Sequence, residues 1–296
     1  MKVGSVSIVG KPNVGKSTLI NSLLGYKVSI VSAHPAITRI KILGVYNSDR
    51  GQIVILDTPG FEKSRNELGR MMLKTIFSSV DDADLILLVI GSRGWDEDDE
   101  KIMESLQKFR KKTILVINKV DKVSHKELLL PLIKESYEKY DFADVVPVSA
   151  SRKKNIDVLR ECIFRHLPDG EKMFPDEMET NIPVEYAIAE IIREKAVDKT
   201  YQEVPQSIAV EVEEMSSGKQ NKDMAVIKAN IIVDRENLKS IIIGKNGAKL
   251  KVIGKLARED IEDFLGKKVY LELWVRVIKG WRDRPDVCRK FGYGDM

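Results

Sequence analysis

Along the first 168 residues, short apolar runs alternate with longer amphipathic segments. The runs fall at 6–9, 53–56, 85–90, 113–117 and 145–148. Val, Ile and Leu fill successive positions in them, so both faces are apolar, as parallel strands covered on two sides require. Between the runs, 18–24, 98–109, 126–140 and 155–167 carry apolar residues at helical spacing. This alternation predicts an α/β fold with a doubly wound parallel sheet. The pattern then breaks. Leu167-Pro168-Asp169-Gly170 stops the last helix, and the polar stretch containing Pro175 and Pro183 reads as a linker over 169–183. Beyond it, Val184, Ala187, Ile188, Ile191 and Ile192 mark one helical face. Residues 207–213 and 225–233 read as strands separated by a polar loop at 216–223. Residues 238–243 and 248–265 read as helices around Gly244-Lys245-Asn246-Gly247, and 268–278 as a closing strand. That order is α+β, so the chain divides into 1–168, a linker at 169–183, and 184–296.

Bulk properties narrow the picture without naming a chemistry. A chain of 296 residues can bury two cores. Its 43% hydrophobic and 32% charged content places it among soluble globular proteins. The formal net charge of +4 is too small to argue for nucleic acid by itself; where the charge lies matters more. Cys162 and Cys288 stand too far apart in sequence to suggest a disulfide framework, so a reducing cytoplasm is the expectation. His34, His125 and His166 show no metal-ligand spacing. No signal-peptide pattern precedes the first strand, and no apolar run approaches the ~18 residues a membrane span needs.

The chemistry sits in the loops after the strands. Gly10-Lys11-Pro12-Asn13-Val14-Gly15-Lys16-Ser17 fits Gly-x-x-x-x-Gly-Lys-Ser between the first strand and a helix beginning near Thr18. Glycines let backbone N–H groups turn inward around an anion, and the helix N-terminus adds unpaired donors and partial positive charge. Lys16 can reach β- and γ-phosphates, and Ser17 can ligate Mg²⁺. Asp57-Thr58-Pro59-Gly60 follows the second run: the carboxylate can hold Mg²⁺ through water, and Gly60 can approach a γ-phosphate with its N–H. Asn118-Lys119-Val120-Asp121 ends the fourth run. There a carboxylate can accept both the ring N–H and the exocyclic amine of guanine, a pair adenine lacks. Such a polar site rejects the wrong analogue by roughly 10⁴-fold or more. Ser149-Ala150 after the fifth run suits a backbone N–H on the guanine oxygen. Each segment alone is weak; four in order, each after a buried strand, predict a guanine nucleotide site.

This set resembles the small GTP-binding proteins of the translation-factor-like class. The resemblance implies phosphate contacts at Gly10, Asn13, Val14, Gly15, Lys16, Ser17, Thr18 and Gly60, and guanine contacts at Asn118, Lys119, Asp121, Ser149 and Ala150. It implies Mg²⁺ at Ser17, Asp57 and Thr38, the last lying in Pro35-Ala36-Ile37-Thr38-Arg39, where many relatives have two threonines in a row. Many GTPases place a glutamine just after Asp-x-x-Gly to orient the attacking water; here Phe61 stands there and cannot hydrogen-bond. Slow hydrolysis is the expectation, and a Phe61→Ala change should barely lower it. Relatives without the glutamine often use K⁺, bound partly by an asparagine at the position of Asn13. Asn13 therefore has two open readings, a K⁺ ligand or a loop-shaping residue tolerant of left-handed geometry.

In the second domain, Gly244-Lys245-Asn246-Gly247 matches the Gly-x-x-Gly loop of a KH domain, which clamps about four nucleotides of single strand. The tetrapeptide is a weak signal, but its surroundings are not neutral. Residues 239–258 hold Lys239, Lys245, Lys249, Lys251, Lys255 and Arg258 and no acid. Such one-sign charge supplies affinity for phosphates. Lys245, Asn246, Lys249, Lys251, Lys255, Arg258 and the two glycines are the expected RNA contacts. Ile241, Ile242, Ile243, Leu250, Val252 and Ile253 are expected either to wall the groove or to fill the core.

With a GTPase half in front, the chain resembles the Era-type bacterial GTPases, which carry a C-terminal KH domain of type II. The resemblance runs through Lys279-Gly280-Trp281-Arg282-Asp283-Arg284-Pro285. It implies binding near the 3′ end of 16S ribosomal RNA, a role in assembling the 30S subunit, a cytoplasmic monomer, and peripheral contact with the inner membrane face. GTP would order the loops around Thr38 and Phe61 and change how the KH domain is held or exposed. One rival reading is a signalling GTPase at a membrane surface, its basic domain reading anionic lipid. Another, an ATPase or small-molecule kinase, is opposed by Asn118-Lys119-Val120-Asp121.

Overall fold

The computed structural model describes residues 1–26, 28, 42–61, 66–124, 127, 129–200, 204–218 and 223–293. The chain separates into two compact units, one made mainly of residues 1–181 and the other mainly of the residues from Ile182 onward.

The first unit is a six-stranded sheet in the order β2-β3-β1-β4-β5-β6. Its strands are β1 (Lys2–Val9), β2 (Ile42–Ser48), β3 (Gly51–Asp57), β4 (Leu85–Gly91), β5 (Thr113–Asn118) and β6 (Asp144–Pro147). All neighbours pair in parallel except β2, which runs antiparallel to β3 at the edge. The helices are α1 (Lys16–Leu24), α2 (Glu67–Asp82), α3 (Glu97–Gln107), α4 (Leu129–Lys139) and α5 (Ile156–His166). The apolar runs work as two-sided strands should. On β4, Leu85, Leu87 and Val89 enter one core with Leu19, Leu23 and Leu159 of α1 and α5. Ile86, Leu88 and Ile90 enter the opposite core with Ile76, Ile102 and Leu132 of α2, α3 and α4. Each such fully buried aliphatic side chain contributes about 1.5–3 kcal/mol.

Two elements here go beyond the strands and helices read from the sequence. The edge strand β2 has Gly44 in its middle because a Cβ there would meet Leu24 Cδ1 of α1 at 2.4 Å. Helix α2 buries Leu68, Met72, Ile76 and Val80, a strict four-residue spacing. The polar stretch after α5 is also not slack. Lys2 and Gly44 bridge Asp169 and Thr180 in antiparallel fashion. The fully buried Gln52 accepts the N–H groups of Met173 and Phe174 at 2.9 and 3.0 Å and donates to the Phe174 carbonyl at 2.8 Å. Further along, Val45 donates its N–H to the Glu179 carbonyl at 2.9 Å, and the Thr180 hydroxyl donates to the Leu43 carbonyl at 2.7 Å. The chain at 169–180 thus covers the outer edge of the sheet, where unpaired strand groups would otherwise be exposed.

The second unit runs α6 (Val184–Asp198), β7 (Ala209–Ser217), β8 (Ala225–Val233), α7 (Glu236–Ile243), α8 (Ala248–Leu265), β9 (Val269–Val277) and α9 (Pro285–Lys290). Its sheet has the order β7-β8-β9, antiparallel between β7 and β8 and parallel between β8 and β9. This α-β-β-α-α-β order is the KH arrangement expected, with helices packed on one sheet face. Helix α8 buries Ile253, Ala257 and Ile261, again four residues apart. The strand expected to begin at 207 starts at Ala209, because Pro205–Ser207 forms a short 3-10 turn, and it continues to Ser217. The tail is part of this core: Trp281 is fully buried, donates Nε1–H to the Ser207 carbonyl at 3.0 Å, and meets Phe291 edge-on at 5.7 Å.

Candidate nucleotide and nucleic-acid sites

Ligands of open α/β sheets bind beyond the carboxyl ends of the strands, where strand order reverses. Here β1 lies between β3 and β4, and the segments after β1, β3, β5 and β6 meet at that end. The phosphate loop follows β1. A Cβ on Gly10 would lie 2.4 Å from the Val89 carbonyl oxygen, and one on Gly15 would lie 2.4 Å from Asn118 Nδ2. Gly15 has φ 99° and Asn13 φ 63°. Positive φ at both turns the chain into a cradle that β-branched residues could not form. Gly15 also caps α1 without a side chain, so the helix N-terminus is left to an anion.

Lys16 is buried, and its Nζ donates to the carbonyls of Gly10 and Lys11, both at 2.9 Å. Burial pushes its ammonium down to about 8, against the opposing pull of Asp57. Asp57 is fully buried at the end of β3. Beside it, Thr58 Oγ1 donates to the Ile8 carbonyl at 2.7 Å, and the Phe61 N–H donates to the Gly10 carbonyl at 3.1 Å. A buried carboxylate and the Ser17 hydroxyl are hard oxygen donors, which suits Mg²⁺ rather than a softer metal. Thr38, the third expected ligand, lies outside the described residues.

Asn118 ties the base-reading end to the phosphate loop. Its Nδ2 donates to the Val14 carbonyl at 2.9 Å, and its Oδ1 accepts the N–H groups of Lys119 and Ala150 at 2.7 and 3.1 Å. Lys119 adopts φ 65° and sends Nζ to the Asn13 carbonyl. Asp121 is half-exposed at the mouth, and the hydroxyl of Ser149 donates to its Oδ1. That hydrogen bond, ahead of the other influences, holds its carboxyl below the usual range, so it stands ionised for two guanine donors. The Ser149 and Ala150 N–H groups are engaged within the protein, on the Lys154 carbonyl and Asn118 Oδ1. Asn13 has the left-handed conformation of the loop-shaping reading.

In the second unit, Gly244, Asn246 and Gly247 have φ 72°, 51° and 77°. A Cβ on Gly244 would meet Lys249 Cβ at 2.7 Å, whereas one on Gly247 would meet nothing within 4 Å. The second glycine therefore presents open backbone at the uncapped start of α8. From there a groove of about 790 Å³ runs between α8 and β9. Lys251, Lys255 and Arg258 line it on the helix side, and Tyr270, Leu271 and Leu273 on the strand side. Of the apolar residues expected at the groove, Leu250 and Val252 line it, while Ile242 and Ile253 are fully buried core. The strand-side residues escaped the sequence reading, although the alternation along β9 carried their signal. Lys245, Lys249 and Lys251 form no ion pair among the described residues.

Comparison with known proteins places these features. A family model described as a 50S ribosome-binding GTPase matches residues 5–119, and a KH-domain model matches residues 203–282. GTPase Era of Aquifex aeolicus is 50% identical to this chain over 299 aligned positions, covering 99% of each. GTPase Era of Clostridium novyi is 44% identical, again over 99% of each. A crystal structure of Era in complex with MgGDPNP and nucleotides 1506–1542 of 16S ribosomal RNA superposes with TM-score 0.98 over 100% of both chains at 49% identity. That of a point variant of Aquifex aeolicus Era bound to GDP·AlF4⁻ gives TM-score 0.97 over the same coverage.

Proposed function

We propose, since the chain belongs to the Era family of GTPases, that it is a slow GTP-hydrolysing switch that grips the 3′ end of 16S ribosomal RNA and assists assembly of the 30S subunit. It is a GTPase with Mg²⁺ as cofactor, and its KH domain binds ribosomal RNA. The residue roles are our assignment. The observation that carries it is one chain holding both an ionised Asp121 seated on Ser149 and a basic groove opening at a bare Gly247.

In this reading the N–H groups of 13–18 receive the phosphates, and Lys16 pairs with the β- and γ-oxygens. Ser17 and Asp57 would hold Mg²⁺, with Thr38 assigned by motif order; the ion supplies charge neutralisation across the β- and γ-phosphates. Gly60 approaches the γ-phosphate with its N–H. Asp121 takes both guanine donors, and Asn118 and Lys119 brace the loop beneath the nucleotide. Phe61 cannot orient water, which keeps turnover slow. In the KH domain, phosphates approach Gly247 and the start of α8. Lys245, Lys249, Lys251, Lys255 and Arg258 neutralise the strand, and Leu250, Leu271 and Leu273 face its bases. We place the protein in the cytoplasm.

The test uses the full chain with labelled GTP, ATP, a 16S 3′-end RNA oligonucleotide and anionic vesicles. GTP should bind roughly 10⁴-fold better than ATP, or more. The Gly244→Asp/Gly247→Asp double variant should lose RNA while keeping GTP. Full RNA affinity in that variant overturns the KH assignment, and vesicle binding in preference to RNA overturns the ribosomal one. Single-turnover rates in K⁺ against Na⁺ decide whether Asn13 serves a monovalent ion as well as the turn.

A further inference from the structure

Lys11 is the first variable position of the phosphate loop, and its side chain points away from the cradle. Its Nζ forms an ion pair with Asp99 Oδ2 at 2.9 Å and a second with Asp96. The Asp99 side chain is only 1% exposed. Among the described residues neither of its oxygens meets a donor in hydrogen-bond geometry, so the Lys11 ammonium serves it as an ion-pair partner. Asp96 has a local duty as well: it caps α3, its Oδ1 accepting the N–H groups of Asp98 and Asp99 at 3.1 Å each. Asp99, three residues further on, also turns its carboxylate toward the Asp96 backbone N–H, the reciprocal side of a capping box, but meets it in poor hydrogen-bond geometry. Helix α3 is already capped without it, and its first turn also carries Glu97, Asp98 and Glu100. A buried ion pair is often replaceable by apolar residues with no loss of stability, so stability alone is a poor reason for this one.

What Lys11 does connect is the phosphate machinery. Its own carbonyl is one of the two acceptors of Lys16 Nζ, and the other, on Gly10, also receives the Phe61 N–H. The orientation of the 10–11 and 11–12 peptides therefore fixes where Lys16 rests and how the loop N–H groups point. Asp99 and Asp96 both hold the Lys11 ammonium from behind.

We propose that Asp99 is a positioning residue for the nucleotide site, acting through Lys11 to hold the phosphate loop in its anion-receiving shape. It touches no substrate. Its loss should loosen the loop for di- and triphosphate alike, because both use the same cradle, and leave the chemical step at saturation nearly untouched.

The experiment measures GTP and GDP affinities, nucleotide release rates and single-turnover hydrolysis for Asp99→Asn, Lys11→Met and the double variant, each at a temperature where circular dichroism shows it folded. Each single variant should weaken both nucleotides about tenfold, mainly through faster release, with the saturated rate within about twofold of the parent. The double variant should be no worse than Lys11→Met alone, since Asp99 acts only through that ammonium. Lys11→Arg, which keeps the ion pair, should retain most of the affinity. If either single variant does not fold, the double variant, which leaves no buried charge unpaired, carries the test, with the same roughly tenfold loss for both nucleotides expected. Parental affinity in a folded variant, additive losses in the double one, or a fall in rate without a fall in affinity would each overturn the proposal. A lower melting temperature with unchanged nucleotide affinity is the signature of a merely structural pair and overturns it too.

Discussion

The two glycine-bracketed loops use the same backbone freedom for opposite ends. Around 10–17 everything is braced. Gly10 and Gly15 are needed because a Cβ would collide with Val89 and Asn118. Lys16, Lys119 and Asn118 are all engaged with loop carbonyls. Around 244–247, Gly247 has empty space beside it, and Lys245, Lys249 and Lys251 pair with nothing among the described residues. A small anion of fixed shape rewards a tight, preformed cradle. A flexible polymer rewards open backbone and unpaired charge, since its affinity comes from counterion release over several contacts.

The largest effect should separate the two glycines. Gly15→Ala combines a left-handed φ with a contact that displaces Asn118, so nucleotide affinity should fall more than about a hundredfold. Gly247→Ala carries only the left-handed cost of about 1–2 kcal/mol, so RNA affinity should fall about tenfold. Titrating each variant with both ligands checks this, and equal losses for the two would erase the distinction drawn between the loops.

Next comes charge. Replacing Lys251, Lys255 and Arg258 by glutamine should remove about three phosphate contacts. The log–log salt slope of RNA binding should then shrink by about 2, with roughly a hundredfold loss at 0.1 M salt. GTP binding by the same variant should not change. An unaltered slope, measured by titration between low and high salt, would place the RNA elsewhere.

Lys16 gives a smaller, pH-dependent effect. Burial lowers its ammonium to about 8, against 10.5 for a free lysine. The cost to stability is therefore present in full below pH 8 and is relieved as pH rises from about 8 toward 10.5. Phosphate recruits the charged form, so nucleotide affinity should fall about tenfold per unit above that lower value. Near it, binding should take up roughly half a proton, which calorimetry in buffers of different ionisation heat would register. A flat affinity profile from pH 7 to 9.5 would contradict the burial.

These contrasts also explain what the sequence could and could not reveal. Gly10, Gly15, Asn118 and Asp121 were legible because backbone geometry and base chemistry admit few residue types there. The cores were legible from the paired faces of runs such as 85–90. Helix α2 was legible in principle, since Leu68, Met72, Ile76 and Val80 recur every four residues, yet its flanks carry no motif that draws attention. Strand β2 was less so: a half-covered edge strand with Gly44 at its centre has little period of its own, and it is held by β3, Leu24 and the chain at 179–180. The buttress of Lys11 by Asp99 joins residues 88 positions apart and follows no spacing rule. The burial of Trp281 against Phe291, and of Gln52 beneath Phe174, likewise depends on partners brought together only by folding.

The smallest effect is the most diagnostic for the chemical step. The ring of Phe61 packs edge-on against Phe77 at 5.9 Å, and Phe77 stacks on Phe109 at 6.0 Å. Its polar link to the phosphate loop is the backbone N–H on the Gly10 carbonyl, which an alanine keeps. The side chain thus belongs to the packing between the loop after β3 and helices α2 and α3. Phe61→Ala should lower the melting temperature, at a cost of about 2 kcal/mol for a half-buried ring. Single-turnover hydrolysis should stay within about threefold, or ~0.6 kcal/mol of barrier. A hundredfold loss of that rate in a variant that still binds GTP would mean the ring shapes the reacting centre. The nucleotide loop would then depend on its aromatic buttress for chemistry as well as for form.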